Sequence, residues 1–211
     1  MGVSVWFWVP NIIDYLRIIL LVVAFLFPAE KCLYTAAIYC VSEYLDAFDG
    51  YFARKLNQTS LFGELLDLSI DRASTAVLAI RIASLQPSLT GLMQFIIGLD
   101  IISHFFVMVT TFVQKKKSHK DVSSEKNPLI RLYYSSRTFL FLLCVFNETY
   151  IMALYVYYAS SVETLINLIA LWTLRICFTG FVLKQIINVL QWHSAAKVLI
   201  ASSSKQQKLE E

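Results

Sequence analysis

The strongest constraint on what this chain can fold into is a 26-residue stretch, Asp46 to Asp71, reading DAFDGYFARKLNQTSLFGELLDLSID. Four aspartates, Asp46, Asp49, Asp67 and Asp71, fall within it, in a sequence that is 57% hydrophobic and only 16% charged. If the flanking runs are helical, Asp46 and Asp49 stand three residues apart and Asp67 and Asp71 four apart, so each pair projects from a single helix face. Gly50, Ala53 and Arg54 continue the stripe begun by Asp46, and Gly63 stands four residues before Asp67. Gly50 costs about 1 kcal/mol of helix propensity relative to Ala. A helix carries that cost where a backbone or a ligand must approach closely. Two such helices can present four carboxylates to one point.

The rest of the chain sets the solvent. A mean hydropathy of +0.61, with 15 Phe, 11 Tyr and 4 Trp in 211 residues, is wrong for an ordinary soluble domain and points to lipid. A membrane span needs about 20 mostly apolar residues. Six runs qualify: Asn11 to Phe27, Lys31 to Ala53, Phe62 to Ser84, Leu89 to Val113, Leu129 to Ser160 and Val162 to Leu190. The fifth is long and interrupted by Asn147 and Glu148, and is read as one long helix, because a seventh span would put the termini on opposite sides. The expected architecture is all-α and integral to the membrane: an interfacial segment over residues 1–10, rich in Trp and Phe, a six-span membrane domain over residues 11–190, and a tail over residues 191–211. The tail is expected to form a short amphipathic helix with a disordered end.

Charge distribution orients these spans. Arg54 and Lys55 follow the second run, Lys115, Lys116, Lys117, Lys120 and Lys126 the fourth, and Lys197, Lys205 and Lys208 the sixth, whereas the other side holds only Lys31. Both termini and the aspartate stretch are therefore expected at the cytosolic face. Cys32, Cys40, Cys144 and Cys177 have no paired spacing and read as small buried hydrophobes. No secretory signal is expected, since no basic region precedes Trp6.

In that solvent four unpaired aspartates are hard to sustain. An ionised Asp near a helix centre costs roughly 2.5–3.5 kcal/mol, so four cost on the order of 10 kcal/mol. Arg54 and Arg72 neutralise two at most, and a mere surface cluster needs neither the spacing nor the glycines. Divalent cations answer the charge: hard carboxylate oxygens suit Mg2+ or Mn2+, and two such ions balance four carboxylates. Two metals about 4 Å apart clamp a pyrophosphate for in-line displacement. The chemistry implied is phosphoryl-type transfer. The spacing does not say which aspartate serves as base.

The spacing D-x2-D-G-x2-A-R-x8-G-x3-D-x3-D is filled here by Asp46, Asp49, Gly50, Ala53, Arg54, Gly63, Asp67 and Asp71. It resembles the signature of the CDP-alcohol phosphotransferases with no position missing. VPNIIDYLRI, LDAFDG, LNQ, LDIISH, SHK, NP, RLYYSSR and LCVFNE are similar to the eukaryotic phosphatidylinositol synthase branch of that family, over most of the chain. The resemblance implies transfer of a phosphatidyl group from CDP-diacylglycerol to myo-inositol with release of CMP, by direct attack and without a covalent enzyme intermediate. It implies that Asp46 and Asp67 bridge two metals, that Asp49 and Asp71 complete one site each, and that Asp71 is the general base. Gly50, Arg54 and Ser60 would touch the CDP moiety, with Asn11 at the pocket edge. A homodimer in the endoplasmic reticulum membrane is also implied, with no role for nucleic acid.

The acceptor is the less specific part. Asp100 and His104 share one face of the fourth run, and an intramembrane ionisable pair is a functional suspect. Lys120, Asn127, Arg131, Tyr134 and Arg137 crowd the start of the fifth run and supply hydrogen-bond donors suited to the hydroxyls of uncharged inositol. The site is expected between the second, third and fifth runs. Two alternatives stay open: the same chemistry on glycerol phosphate, serine or an amino alcohol, and a divalent-cation transporter using the same carboxylates. A transporter is expected to space ionisable groups along a path, whereas here they gather at one end.

Overall fold

The structure, a computed structural model, describes residues 4–113, 127–160 and 164–210. Among these, the secondary structure is helical: α1 Val9–Leu26, α2 Cys32–Lys55, α3 Leu61–Leu85, α4 Thr90–Val113, α5 Pro128–Ser135, α6 Arg137–Ala159 and α7 Leu165–Glu210, with short 3-10 turns at Val5–Phe7, Ala29–Lys31 and Pro87–Leu89. Four of the helical segments are long and apolar enough to cross a membrane: Val9–Leu26, Pro87–Val113, Arg137–Ala159 and Leu165–Ser204. At 24 and 25 residues, α2 and α3 match or exceed α4 in length, about 36 Å at 1.5 Å per residue. They fall short in hydropathy because they carry the aspartates and their neighbours.

The chain divides into two compact units, residues 1–87 with 152–171, and residues 88–151 with 172–211. In the first, α1 packs with α2 and α3. Beside Pro10, its buried face is Asn11, Asp14, Arg17, Leu21 and Ala24, recurring every three or four residues, polar toward the start and apolar toward the end. Small hydroxyls tie α2 to it: Thr35 Oγ1 donates to the Ala24 carbonyl at 3.1 Å and Ser42 Oγ to the Arg17 carbonyl at 3.4 Å. Such contacts hold helices together where lipid removes the hydrophobic drive for association. The last carbonyls of α1 have no partners within the helix. Arg81 reaches across from α3 to the nearby Phe25 and Phe27 carbonyls at 3.1 and 2.6 Å, placing a cation where the helix dipole favours one.

A tight connection sets α2 against α3. The Leu56 and Gln58 amides donate back to the Phe52 and Ala53 carbonyls, and Asn57 takes the left-handed conformation, φ 53°, which Asn tolerates better than most residues. Ser60 then opens α3 as its N-cap, its hydroxyl accepting from the Gly63 amide at 3.0 Å. The Gln58 side chain accepts from the Val9 amide at 2.9 Å, fixing the start of α1 to the same turn. Before α1, Trp6 is 60% exposed with its ring 4.8 Å from that of Phe62, a placement suited to an interfacial belt.

Three expectations are corrected. The fifth run is two helices, not one. Ser136 is extended, and its hydroxyl accepts from the Phe139 amide at 3.3 Å, restarting the chain as α6. Asn147 and Glu148, read as the interruption, lie inside α6, where Asn147 Oδ1 accepts from Gln185 at 2.9 Å. The sixth run does not stop near Leu190: α7 continues through to Glu210, since no Gly or Pro lies between Gln185 and Glu210, and Gln191 and Ala195 are buried beyond it. Of the cysteines, Cys32 and Cys177 are buried, but Cys144 is intermediate and Cys40 exposed, as an outward position on a helix is when its solvent is apolar.

The second unit has its own core of Tyr133, Leu143 and Ile187, packed with Leu129, Tyr134, Phe139, Leu140 and Leu183. At Gly180 α7 lies close against α6: an added Cβ there would stand 2.5 Å from Phe146 Cδ2. Gly180→Ala is therefore expected to overpack α6 against α7 at about 1–3 kcal/mol. Thermal unfolding in detergent should show a drop of several degrees. Gly98→Ala, where a Cβ meets nothing within 4 Å, should leave the midpoint unchanged.

Candidate metal and substrate site

The aspartates of α2 and α3 converge, and they do so on a residue of α1. The Arg17 side chain is fully buried, its Nη1 lying 2.9 Å from Asp46, 2.9 Å from Asp67, 3.1 Å from Asp49 and 3.3 Å from Asp14, with Nη2 at 2.7 Å from Asp71. Arg72 adds a longer contact to Asp71 at 3.7 Å. Two sets of carboxylate oxygens lie within 4.8 Å of one another: Asp14, Asp49 and Asp67, and Asp46, Asp67 and Asp71. Asp67 belongs to both sets, whereas Asp46, also expected to bridge, belongs to one.

The hydrogen bonding around Arg17 Nη1 is overcrowded. A guanidinium Nη carries two N–H groups, each directional. Four carboxylate oxygens around Arg17 Nη1 exceed what two donors satisfy linearly, while a spherical cation accepts such a shell without preference for direction. The donor set, all oxygen and all anionic, suits a hard divalent ion. Asp71 is further shaped by its own helix, whose Ser74 and Thr75 hydroxyls both donate to its carbonyl, at 3.0 and 2.9 Å.

Around this centre lie the residues expected to meet the nucleotide. Arg54 is exposed, and its guanidinium folds over Gly50, where a Cβ would stand 3.2 Å from Arg54 Nη1. A larger residue at position 50 would displace that guanidinium. Gly63 is closer still, with a Cβ there falling 2.9 Å from Asn11 Oδ1 and 3.3 Å from Ser60 Oγ. The Asn11 amide nitrogen donates to the Val5 carbonyl at 2.6 Å, which leaves Oδ1 buried with no hydrogen-bond partner among the described residues. Asn11, Ser60 and Gly63 thus form one cluster. Ser60 has an architectural duty as the α3 cap as well as any contact with substrate.

The residues expected to meet the acceptor belong to the second unit. Asp100 is buried and accepts from Asn188 Nδ2 at 3.4 Å; His104 Nδ1 lies 3.5 Å from the Asp100 carboxylate and 2.8 Å from its carbonyl. Tyr134 meets the Gln191 side-chain amide through its hydroxyl. Asn127 caps α5, its side chain accepting from the Leu129 and Ile130 amides at 2.9 and 3.4 Å. Arg131 and Arg137 are exposed. Lys120 lies outside the described residues. Asp100 was singled out in the sequence, but the buried polar residues of α7 that join it, Lys184 and Asn188, were not; Lys184 Nζ donates to Asn188 Oδ1 at 2.6 Å.

Two site residues were given no role in the sequence reading: Asp14 and Arg17 enter it only within the VPNIIDYLRI stretch. Their three-residue spacing on an apolar helix, within VPNIIDYLRI, was a legible sign of an internal ion pair. Nothing in one sequence says that this pair points at the aspartates of two other helices.

Residues 7–200 match the CDP-alcohol phosphatidyltransferase family. The chain is 36% identical over 200 residues to the CDP-diacylglycerol–inositol 3-phosphatidyltransferase of Homo sapiens, covering 94% of this chain and 93% of that one. It is 37% identical over 201 residues to the enzyme of the same name from Saccharomyces cerevisiae, covering 95% and 90%. With that from Candida albicans it shares 35% over 200 residues, covering 93% and 83%. No solved structure matches. An aspartate constellation converging from two helices, in a chain matched almost end to end, places this protein in the CDP-alcohol phosphatidyltransferase family.

Proposed function

We propose that this protein is a phosphatidylinositol synthase, transferring the phosphatidyl group of CDP-diacylglycerol to myo-inositol and releasing CMP. The observation that carries the reading is the convergence of two overlapping carboxylate sets, Asp14, Asp49 and Asp67, and Asp46, Asp67 and Asp71, the oxygens of each lying within 4.8 Å of one another. Relatives with that name match over nine-tenths of the chain. Two Mg2+ or Mn2+ ions held by these carboxylates would supply charge neutralisation for the diphosphate and its leaving group.

The side chains supply the rest. Arg54, exposed and folded over Gly50, pairs with phosphate oxygens of the liponucleotide. Asn11 Oδ1 is free to accept a hydrogen bond from the nucleotide, and the Ser60 hydroxyl keeps its own proton to donate while accepting from Gly63. The acceptor hydroxyl attacks the phosphorus nearest the lipid, the bond from that phosphorus to the CMP phosphate oxygen breaks, and CMP departs with the electron pair. Asp71 takes the hydroxyl proton. Asp100, His104, Lys120, Asn127, Arg131, Tyr134 and Arg137 serve inositol, by hydrogen bonds to its hydroxyls.

Further, α2 and α3 cross the membrane with the four more apolar segments, making six spans after the short interfacial turn at Val5–Phe7. Buried metals make their charge tolerable. The catalytic membrane domain spans residues 11–190, and residues 191–211 lie on the cytosolic side with the active site. The enzyme is a homodimer of the endoplasmic reticulum membrane.

The direct test uses purified protein, labelled CDP-diacylglycerol and a panel of inositol, serine, glycerol phosphate and amino alcohols, with and without Mn2+ or Mg2+. Inositol alone should give lipid product, and only with metal; product from another alcohol reassigns the acceptor, and metal uptake into sealed vesicles without CMP release replaces the enzyme with a transporter. Asp71→Asn should lower CMP release at least about 100-fold, with CDP-diacylglycerol still bound. Full turnover in that variant removes Asp71 as base. Arg137→Ala should raise the KM for inositol about tenfold, the effect of losing one hydrogen bond from a charged donor. An equal loss for CDP-diacylglycerol would move Arg137 to the nucleotide.

A further inference from the structure

Arg17 stands at the point where the carboxylates meet, and its own bonding there is poor. Nη1 faces four oxygens with two N–H groups, and Nε is buried with no hydrogen-bond partner among the described residues. A guanidinium is best satisfied by a fork in which two nitrogens meet the two oxygens of one carboxylate. One partner for such a fork is close by. Asp14 lies three residues earlier on the same helix, is 1% exposed, and makes the longest of the Nη1 contacts, 3.3 Å. Counting Asp14, the site has five carboxylates, which match two divalent cations and one guanidinium in formal charge.

We propose that Arg17 is a resident counter-ion of the metal-free enzyme, a positioning residue that holds the four signature aspartates together and withdraws onto Asp14 as the cations enter. In the metal-free form the guanidinium relieves the mutual repulsion of Asp46, Asp49, Asp67 and Asp71. On loading, the ions take over those carboxylates, and Arg17 exchanges a crowded, unfulfilled position for a paired one. Asp14, although it stands in one of the two carboxylate sets of the metal-free form, is the carboxylate left to Arg17 once the ions are in place. Consequently Arg17 competes with the metals, and the site is preassembled without being closed to them. The inference rests on the metal reading above.

The test compares purified wild type with Arg17→Gln in detergent, by thermal unfolding in EDTA and in saturating Mn2+, and by titration of free Mn2+ using its electron paramagnetic resonance signal. Arg17→Gln should lose several degrees of midpoint in EDTA and recover most of them in Mn2+, and its Mn2+ affinity should rise about tenfold. A shift between EDTA and Mn2+ no larger than that of wild type, or a weakened affinity, overturns the proposal and makes Arg17 a fixed part of the loaded scaffold. Arg17→Lys keeps the charge with fewer donors. Its EDTA-to-Mn2+ shift should fall between wild type and Gln, and a shift at or below wild type overturns the proposal even if the Gln variant does not fold. Wild type that neither binds Mn2+ nor is stabilised by it removes the metal site itself, a distinct failure.

Discussion

Mutual repulsion among carboxylates in a poorly polarisable interior is the interaction on which the rest of this structure depends. Oxygens within 4.8 Å of one another repel by on the order of 3 kcal/mol per pair at an effective dielectric near 20. Five acidic side chains at one point would drive three helices apart unless positive charge sat among them. Arg17 supplies one such charge, with no solvent exposure, and contacts all five carboxylates. Its length is far better suited than that of a lysine point charge to reaching aspartates on α2 and α3 together.

The surrounding fold is arranged to keep those three helices in register. Gln58 and Asn57 fix the α2–α3 turn and the start of α1 together, and Arg81 binds the far end of α1 through its carbonyls. Ser42 and Thr35 make the lateral ties. These are polar contacts throughout, which is the economy expected in lipid, where an unmade backbone bond is costly and apolar packing gives little preference for one neighbour over another. Gly50 and Gly63 contribute by absence, leaving room for the Arg54 guanidinium and the Asn11 amide where any Cβ would press on them. The glycines thus make room for side chains beside the aspartates, as the small hydroxyls do for the helix contacts.

Much of this was legible in the residues. The aspartates of α2 and α3 are spaced so that only a helical backbone groups them, and the bounds of α2, α3 and α4 fall within a residue or two of the hydropathy runs. What escaped was set by contacts between distant segments. Asp14 and Arg17 belong to the site because α1 packs on α2 and α3, a fact that no local pattern encodes. The break at Ser136 depends on one hydroxyl capping α6, while the more conspicuous Asn147 and Glu148 stay helical because Gln185 satisfies Asn147 from another helix. The length of α7 was misjudged because polarity was read as the end of a helix, when polarity ends only the hydrophobic run.

The central claim is that the carboxylates of α2 and α3 are a cation site whose metal-free charge is carried by Arg17 of α1. The most direct measurement is an experimental structure with Mn2+, recorded at a wavelength where manganese scatters anomalously. The account predicts two anomalous peaks about 4 Å apart, ringed by Asp46, Asp49, Asp67 and Asp71, with the Arg17 guanidinium drawn back to Asp14. Absence of anomalous density among these residues, with the guanidinium still at their centre, would contradict it.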